Sequence, residues 1–281
     1  MIGEMLASAR ASSTPLRSLV VTFDPLPFEV LHPGAPPSRL TDIEERLDLL
    51  ATSGIDAVCV VEFTKELAAL PPLEFLELLG ERYTIRQIWC GRDFAFGHNR
   101  EGSVDFLRAH AAALGFEVHA VDRIDLDGKR LGSRDARRLI TDGRVEEASA
   151  VLGHWPSVSG PVVDGAKRGR QLGFPTANIQ VPPYKLIPRE GIYAGYATLS
   201  ASGSDPAVRQ PSAISVGYNP TFGANPLSVE AFIIDFDREI LGERLTLEFA
   251  HRLRDELKFE TVEDLVTQMQ ADVADARKLL A

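Results

Sequence analysis

Residues 165–178 read GAKRGRQLGFPTAN, a glycine- and cation-rich loop that runs into an extended segment. Gly165, Lys167, Arg168, Gly169 and Arg170 place glycine backbone beside positive charge. A polyphosphate needs both, because glycine permits close backbone approach and bare N–H donors while Lys and Arg neutralise charge. Pro175 then fixes the backbone, and Thr176 and Asn178 follow one residue apart. In a strand, residues i and i+2 share a face, so the two side-chain oxygens point the same way. Two neutral oxygens on one face suit Mg²⁺, which takes few protein ligands and fills its shell with substrate phosphates. The competing reading is a turn entering a strand, with Pro175 and Asn178 serving geometry alone.

The sequence around this loop is β-rich. Ser159–Val163, Gly191–Leu199, Ala213–Val216, Val229–Phe236 and Arg244–Phe249 are short strand-like runs broken by Gly and Pro. Their spacing predicts an antiparallel barrel or sandwich. Ser200–Pro211 reads as a polar loop, and Asn219-Pro220-Thr221 as a turn. One amphipathic helix closes the chain, with Val262, Leu265, Val266, Met269 and Val273 on one face. Glu230 opens the apolar run Ala231–Ile234. A carboxylate there can face a pocket and take a proton from a substrate hydroxyl. It can equally be an edge-strand Glu in solvent.

The first half has a different rhythm. Leu19–Phe23, Ile55–Val61, Ile85–Cys90 and Phe116–Val121 are apolar strand signals, separated by helical patterns such as Ile43–Leu50 behind the Thr41/Glu44 capping box. Strands alternating with helices predict a parallel α/β sheet, which binds ligands at the carboxyl ends of its strands. Two short helices follow, Ser133–Thr141 and Val145–Leu152. The change of character near Gly153–Pro156 puts a boundary there and gives domains 1–153 and 154–281.

Composition narrows the function classes. The 281 residues are 44% hydrophobic and 25% charged, as in an ordinary folded protein. The net charge of −10 makes non-specific nucleic-acid binding a poor prospect, since that depends on Lys and Arg neutralising phosphates. No apolar run is long enough to span a bilayer, no signal-peptide pattern opens the chain, and Cys59 and Cys90 sit in apolar runs without a disulfide pattern. These features predict a cytoplasmic protein. The histidines show no metal-ligand spacing.

Gly169-Arg170-x-Leu172-Gly173-Phe174-Pro175-Thr176-Ala177-Asn178 is long and specific. It is followed in order by Gly191-Ile192-Tyr193-Ala194, Asn219-Pro220-Thr221, Val229-Glu230 and Leu253-Arg254-x-Glu256-x-Lys258-Phe259. Together these resemble the riboflavin kinase domain of the bacterial bifunctional riboflavin kinase/FAD synthetase family. The first half is similar to that family's adenylyltransferase domain through Thr22-Phe23-Asp24-Pro25-x-Pro27 and Gly91-Arg92-Asp93-Phe94-x-Phe96-Gly97. The resemblance implies a Rossmann-like nucleotidyltransferase domain followed by a small closed antiparallel barrel with a C-terminal helix. It implies that Thr176 and Asn178 hold Mg²⁺ and ATP, and that the loop of Gly165, Lys167, Gly169 and Arg170 covers the ATP phosphates. Glu230 would be the base for the ribityl 5′-hydroxyl, and Arg254 and Phe259 would lie on the flavin side. Riboflavin and ATP would be the substrates, with no obligate protein partner.

The first half also departs from the family pattern. The family begins with a strand leading into Gly-x-Phe-Asp-Gly-x-His-x-Gly-His, whereas the first histidine here is His32. The chain therefore starts one strand late by that pattern, and its parallel sheet lacks the expected central strand. Leu26 stands in place of the histidine in the family's Thr-Phe-Asp-Pro-His-Pro, and Gly132-Ser133-Arg134-Asp135-Ala136-Arg137 replaces Ser-Ser-Thr-x-Ile-Arg. On these grounds the first domain is expected to have lost adenylyl transfer. Riboflavin kinase is the main reading. The alternatives are a bifunctional enzyme that also makes FAD and a non-catalytic flavin-binding protein.

Overall fold

The computed structural model describes residues 1–281 apart from 37, 123–124, 127–128, 131, 166–168, 170–171, 200–206 and 219–226. The chain divides into two compact units, Met1–Pro36 with Ile43–Arg130, and Pro37–Asp42 with Leu131–Ala281.

In the first unit, helix α1 (Ile2–Ala11) precedes strand β1 (Leu19–Phe23), then α2 (Pro27–Leu31), α3 (Ile43–Thr52), β2 (Ala57–Val61), α4 (Lys65–Ala68), α5 (Pro72–Gly80), β3 (Gln87–Gly91), β4 (Ala95–Phe96), β5 (Gly102–Ser103), α6 (Val104–Leu114), β6 (Glu117–Val121), β7 (Asp125–Leu126) and β8 (Lys129–Arg130). The parallel architecture is as expected, but the sheet is divided. β1 pairs with β2, and β3 pairs with β6. Among the described residues, the other edges of β1 and β3 have no hydrogen-bonded strand. A cavity of about 1590 Å³, lined by residues of both strands, lies beside them. The core packs Leu76, Cys90, Val104, Leu107 and Phe116 together. Ser103 caps α6 through its side chain, and Gly115 ends that helix in the left-handed conformation that glycine tolerates.

The second unit holds α7 (Ser133–Thr141), α8 (Val145–Leu152), β9 (Ser157–Val163), β10 (Ala177–Ile179), β11 (Gly191–Leu199), β12 (Val208–Tyr218), β13 (Leu227–Ile233), β14 (Arg244–Arg254) and α9 (Val262–Leu279). Its six strands close into a barrel in the order β10-β13-β12-β11-β14-β9, with antiparallel neighbours throughout. Closure removes the exposed edges that an open sheet would offer. Alternate residues such as Val229, Ala231 and Ile233 fill the core with Tyr193, Ile214, Leu245, Leu247 and Phe249.

The second compact unit takes in the chain from Leu131 onward, ahead of the change of sequence character near residue 153. Val145 of α8 is part of the barrel core, and Leu139, Ile140 and Ala148 form a cluster with Leu40 and Leu186, so α7 and α8 pack with the second unit. Residues 208–211 belong to β12 rather than to a polar loop. Val262 is exposed at the start of α9, whose Ala276 packs with Ala194 and Ile234 instead. Phe94 is exposed and stacks on Phe96, with ring centroids 5.5 Å apart.

Candidate functional site

The barrel register brings the predicted residues together. β10 pairs with β13 so that Asn178 lies opposite Glu230, and β12 pairs with β13 so that Ser215 lies opposite Glu230 on the other side. Val229 and Ala231 point into the core, so Glu230 points to the other face of the sheet. Ser215, Glu230 and Asn178 thus form a polar row across three strands. Thr176, just before β10, donates from Oγ1 to Glu230 Oε2 at 3.1 Å.

One close approach ties the loop to this row, and hydrogen bonds within the loop shape its exit. A Cβ at Gly165 would lie 2.1 Å from Asn178 Nδ2, so only glycine lets the backbone rest on that amide. The amides of Leu172 and Phe174 both donate to Gly169 O, at 3.0 and 2.8 Å, which folds the chain back before Pro175. Phe174 then meets Phe232 edge-on, with centroids 5.2 Å apart. Phe232 follows Glu230 by two residues on the same face and packs in a cluster with Val273 of α9. The row is therefore flanked by an aromatic pair and the C-terminal helix. Lys167 and Arg170 lie outside the described residues, as do Arg168 and Asn219–Thr221.

The donor set at the row is all oxygen and amide. Thr176 spends its hydroxyl proton on Glu230, so toward any other group its oxygen acts as an acceptor, as a cation ligand must. Among the described residues there is no group of three or more His, Cys, Asp or Glu able to hold a metal. The site thus fits an ion that arrives with phosphates and borrows neutral oxygens, which is the behaviour of Mg²⁺.

Of the two residues expected on the flavin side, Arg254 is the last of β14 and Phe259 lies beyond it. Phe259 is half-buried between β14 and α9. Arg254 is committed elsewhere: Nε and Nη2 donate to the two carboxylate oxygens of Asp272 at 2.8 and 2.6 Å, and Nη1 donates to Asp255 O at 2.9 Å. It anchors its segment rather than offering a free guanidinium. Sequence reasoning gave no role to Ser215, Asp272 or Glu256, although Glu256 stands in the Leu253–Phe259 motif. Glu256 presses on the backbone at Gly217, where an added Cβ would sit 1.8 Å from Oε1. Partial desolvation, then the nearby Glu190, hold its carboxyl above the usual range against the opposing pull of Arg254.

In the first unit, the cavity beside β1 and β3 is rich in aromatic side chains, among them Phe23, Phe63, Phe75, Phe94 and Phe96. Leu26 caps α2 through its backbone, its N–H donating to Glu29 Oε2 at 3.0 Å. Arg137 belongs to the second unit, where its Nε donates to Ser38 O at 2.7 Å.

Comparison with known proteins sets these residues in a family. The chain is 36% identical to a bifunctional riboflavin kinase/FMN adenylyltransferase from Listeria monocytogenes, over 96% of this chain and 85% of that protein. The chain belongs to this family. Relatives of the same description from Pseudomonas fluorescens and Escherichia coli K12 are 32% and 30% identical, over 97% and 92% of this chain and 86% and 82% of theirs. The riboflavin kinase family model matches residues 152–280, and the FAD synthetase model matches residues 2–135. A crystal structure described as a macrolide-efflux protein from Streptococcus pneumoniae superposes with a TM-score of 0.83 at 28% identity, covering 98% of this chain and 88% of that one. Among the described residues, no helix is long and apolar enough to cross a membrane. The match over residues 2–135 corrects one expectation: it spans the altered position Leu26 and reaches Asp135, so the family retains this domain and its supposed loss of adenylyl transfer has no support.

Proposed function

We propose that this chain transfers the γ-phosphoryl group of ATP to the ribityl 5′-hydroxyl of riboflavin, giving FMN, with residues 154–281 as the kinase domain. The supporting observation is the Ser215–Glu230–Asn178 row with the Thr176 hydroxyl on Glu230, in the part of the chain that matches riboflavin kinases. Phosphoryl transfer asks for positioning and charge neutralisation more than for covalent catalysis. Glu230 accepts the proton of the attacking hydroxyl, and the hydrogen bond from Thr176 fixes which carboxylate oxygen faces the substrate. Thr176 and Asn178 would hold Mg²⁺, which when bound neutralises charge on the ATP phosphates. Gly165 and Gly169 let the loop lie close over those phosphates, and Lys167 and Arg170 add positive charge. The segment from Arg254 to Phe259 closes the flavin side.

A second reading has its own support. The FAD synthetase match over residues 2–135 favours a bifunctional enzyme that goes on to adenylylate FMN, with residues 1–153 as that domain. ATP supply and free thiols at Cys59 and Cys90 accord with work in the cytoplasm. The test is a product assay with riboflavin, ATP and Mg²⁺, separating FMN from FAD by chromatography. FMN is the expected first product. FAD appearing after FMN establishes the second activity, FMN alone removes it, and flavin bound with neither product overturns the kinase reading.

A further inference from the structure

The C-terminal helix carries a buried carboxylate that the reaction as described does not use. Asp272 is 6% exposed, and its carboxylate takes the fork of Arg254 and the amide of Gln268, whose Nε2 donates to Oδ1 at 2.9 Å. A bidentate Arg–carboxylate pair fixes direction as well as distance. Arg254 ends β14 and donates onward to the carbonyl of Asp255. The next residue, Glu256, lays its carboxylate against Gly217, with Oε1 1.8 Å from where a Cβ would sit. Gly217 is two residues from Ser215, on the strand that flanks Glu230. Hydrogen bonds, one step along the chain and one close contact thus lead from α9 to Gly217, two residues along β12 from Ser215. Tyr218 and Leu257, which follow Gly217 and Glu256 in the chain, are both exposed.

We infer that Asp272, steadied by Gln268, is a positioning residue for the flavin side of the kinase site, acting through Arg254 to hold residues 255–256 against Gly217. This rests on the kinase reading and adds the control of one substrate's affinity by the C-terminal helix. A brace that merely stabilised the fold would lower the amount of active enzyme for both substrates alike. A positioning residue changes the two substrates unequally.

The experiment measures steady-state FMN formation and riboflavin binding by flavin-fluorescence quenching for the wild type, Asp272→Asn, Arg254→Gln and the double variant. The wild-type assay comes first, and absence of FMN there defeats the kinase reading and this inference with it. With an active wild type, Asp272→Asn is expected to raise the riboflavin KM and dissociation constant by about tenfold, leaving kcat and the ATP KM within about twofold. The double variant should be no worse than the worse single one, because both act through one contact. Equal losses for both substrates, tracking a fall in melting temperature, reduce Asp272 to a brace and overturn the inference, as do unchanged kinetics. If Asp272→Asn does not fold, Gln268→Leu removes only the supporting amide and should give a smaller rise confined to riboflavin; no such rise overturns the inference.

Discussion

In the proposed reaction Glu230 is the base, and Asn178, Ser215 and Thr176 stand around it. Replacing it with Gln keeps the shape and a hydrogen bond with Thr176 but removes the proton acceptor. The expected outcome is a fall in kcat of roughly 10²–10⁴-fold with little change in riboflavin binding, measured as FMN formed per enzyme. Near-normal turnover would reassign the base. Thr176→Ala removes the hydrogen bond to Glu230 and the proposed Mg²⁺ ligand, so it should shift the Mg²⁺ concentration for half-maximal rate upward, in a titration at fixed ATP. An unmoved Mg²⁺ curve would remove Thr176 from the metal. The residue types here were legible in the sequence: glycines and cations, a Thr and an Asn one apart, a Glu at the head of an apolar run. Their convergence was not. Asn178 and Glu230 become neighbours only through the β10–β13 register, and no local periodicity encodes a register between distant segments. The Arg254–Asp272 pair was hidden for the same reason, since Asp272 on its own reads as one polar residue of an amphipathic helix.

Among the elements, β11 shows how burial turns a strand into a pH-sensitive part. Tyr193 is fully buried against Phe249, with ring centroids 5.3 Å apart, and its hydroxyl donates to Arg189 O. Burial raises the phenol above its usual range, although the nearby Arg252 pulls the other way. The folded protein thus holds this proton more tightly than the unfolded chain. Stability from Tyr193 is complete below the unfolded value, about 10, and is lost as pH rises from there towards the folded value. Chemical denaturation should show stability falling above about pH 10, and Tyr193→Phe should flatten that decline while costing about 1 kcal/mol at pH 7 for the lost hydrogen bond. A decline identical in the variant would place its origin elsewhere. Most elements could be read from apolar period and Gly or Pro punctuation, as with Leu19–Phe23, Ser133–Thr141 and Gly191–Leu199. β12 was read short because Arg209 and Gln210 look like loop residues. On the barrel's outer face they are at home, with Arg209 3.5 Å from the Tyr196 ring centroid and paired with Glu248 across the sheet.

At the scale of the molecule, sequence character and packing draw the boundary in different places. The change from helix-and-strand rhythm to β-rich runs falls near residue 153, yet α7 and α8 pack on the barrel. Composition reports which elements a segment forms, whereas the core is set by where their apolar faces end up. Val145 is wholly buried in the barrel core, and the cluster of Leu139, Ile140 and Ala148 reaches Leu186 beyond β10. The short segment before α3 joins the same unit: Lys185 Nζ donates to Leu40 O at 2.7 Å, and Arg244 pairs with Asp42 at 3.2 Å. A chain beginning at residue 154 would keep all six barrel strands and still lose these faces. Val145 alone contributes about 2 kcal/mol of apolar burial and packing. Removing both helices should therefore lower the melting temperature by roughly 10 °C or more, at about 2–4 °C per kcal/mol for a unit of this size. Circular dichroism melting of the 154–281 chain beside the full chain, with FMN formation assayed on both, makes the comparison. A barrel from residue 154 that melts with the full chain and turns over at its rate would show that α7 and α8 only lie on the surface, and the boundary read from composition would then be the physical one.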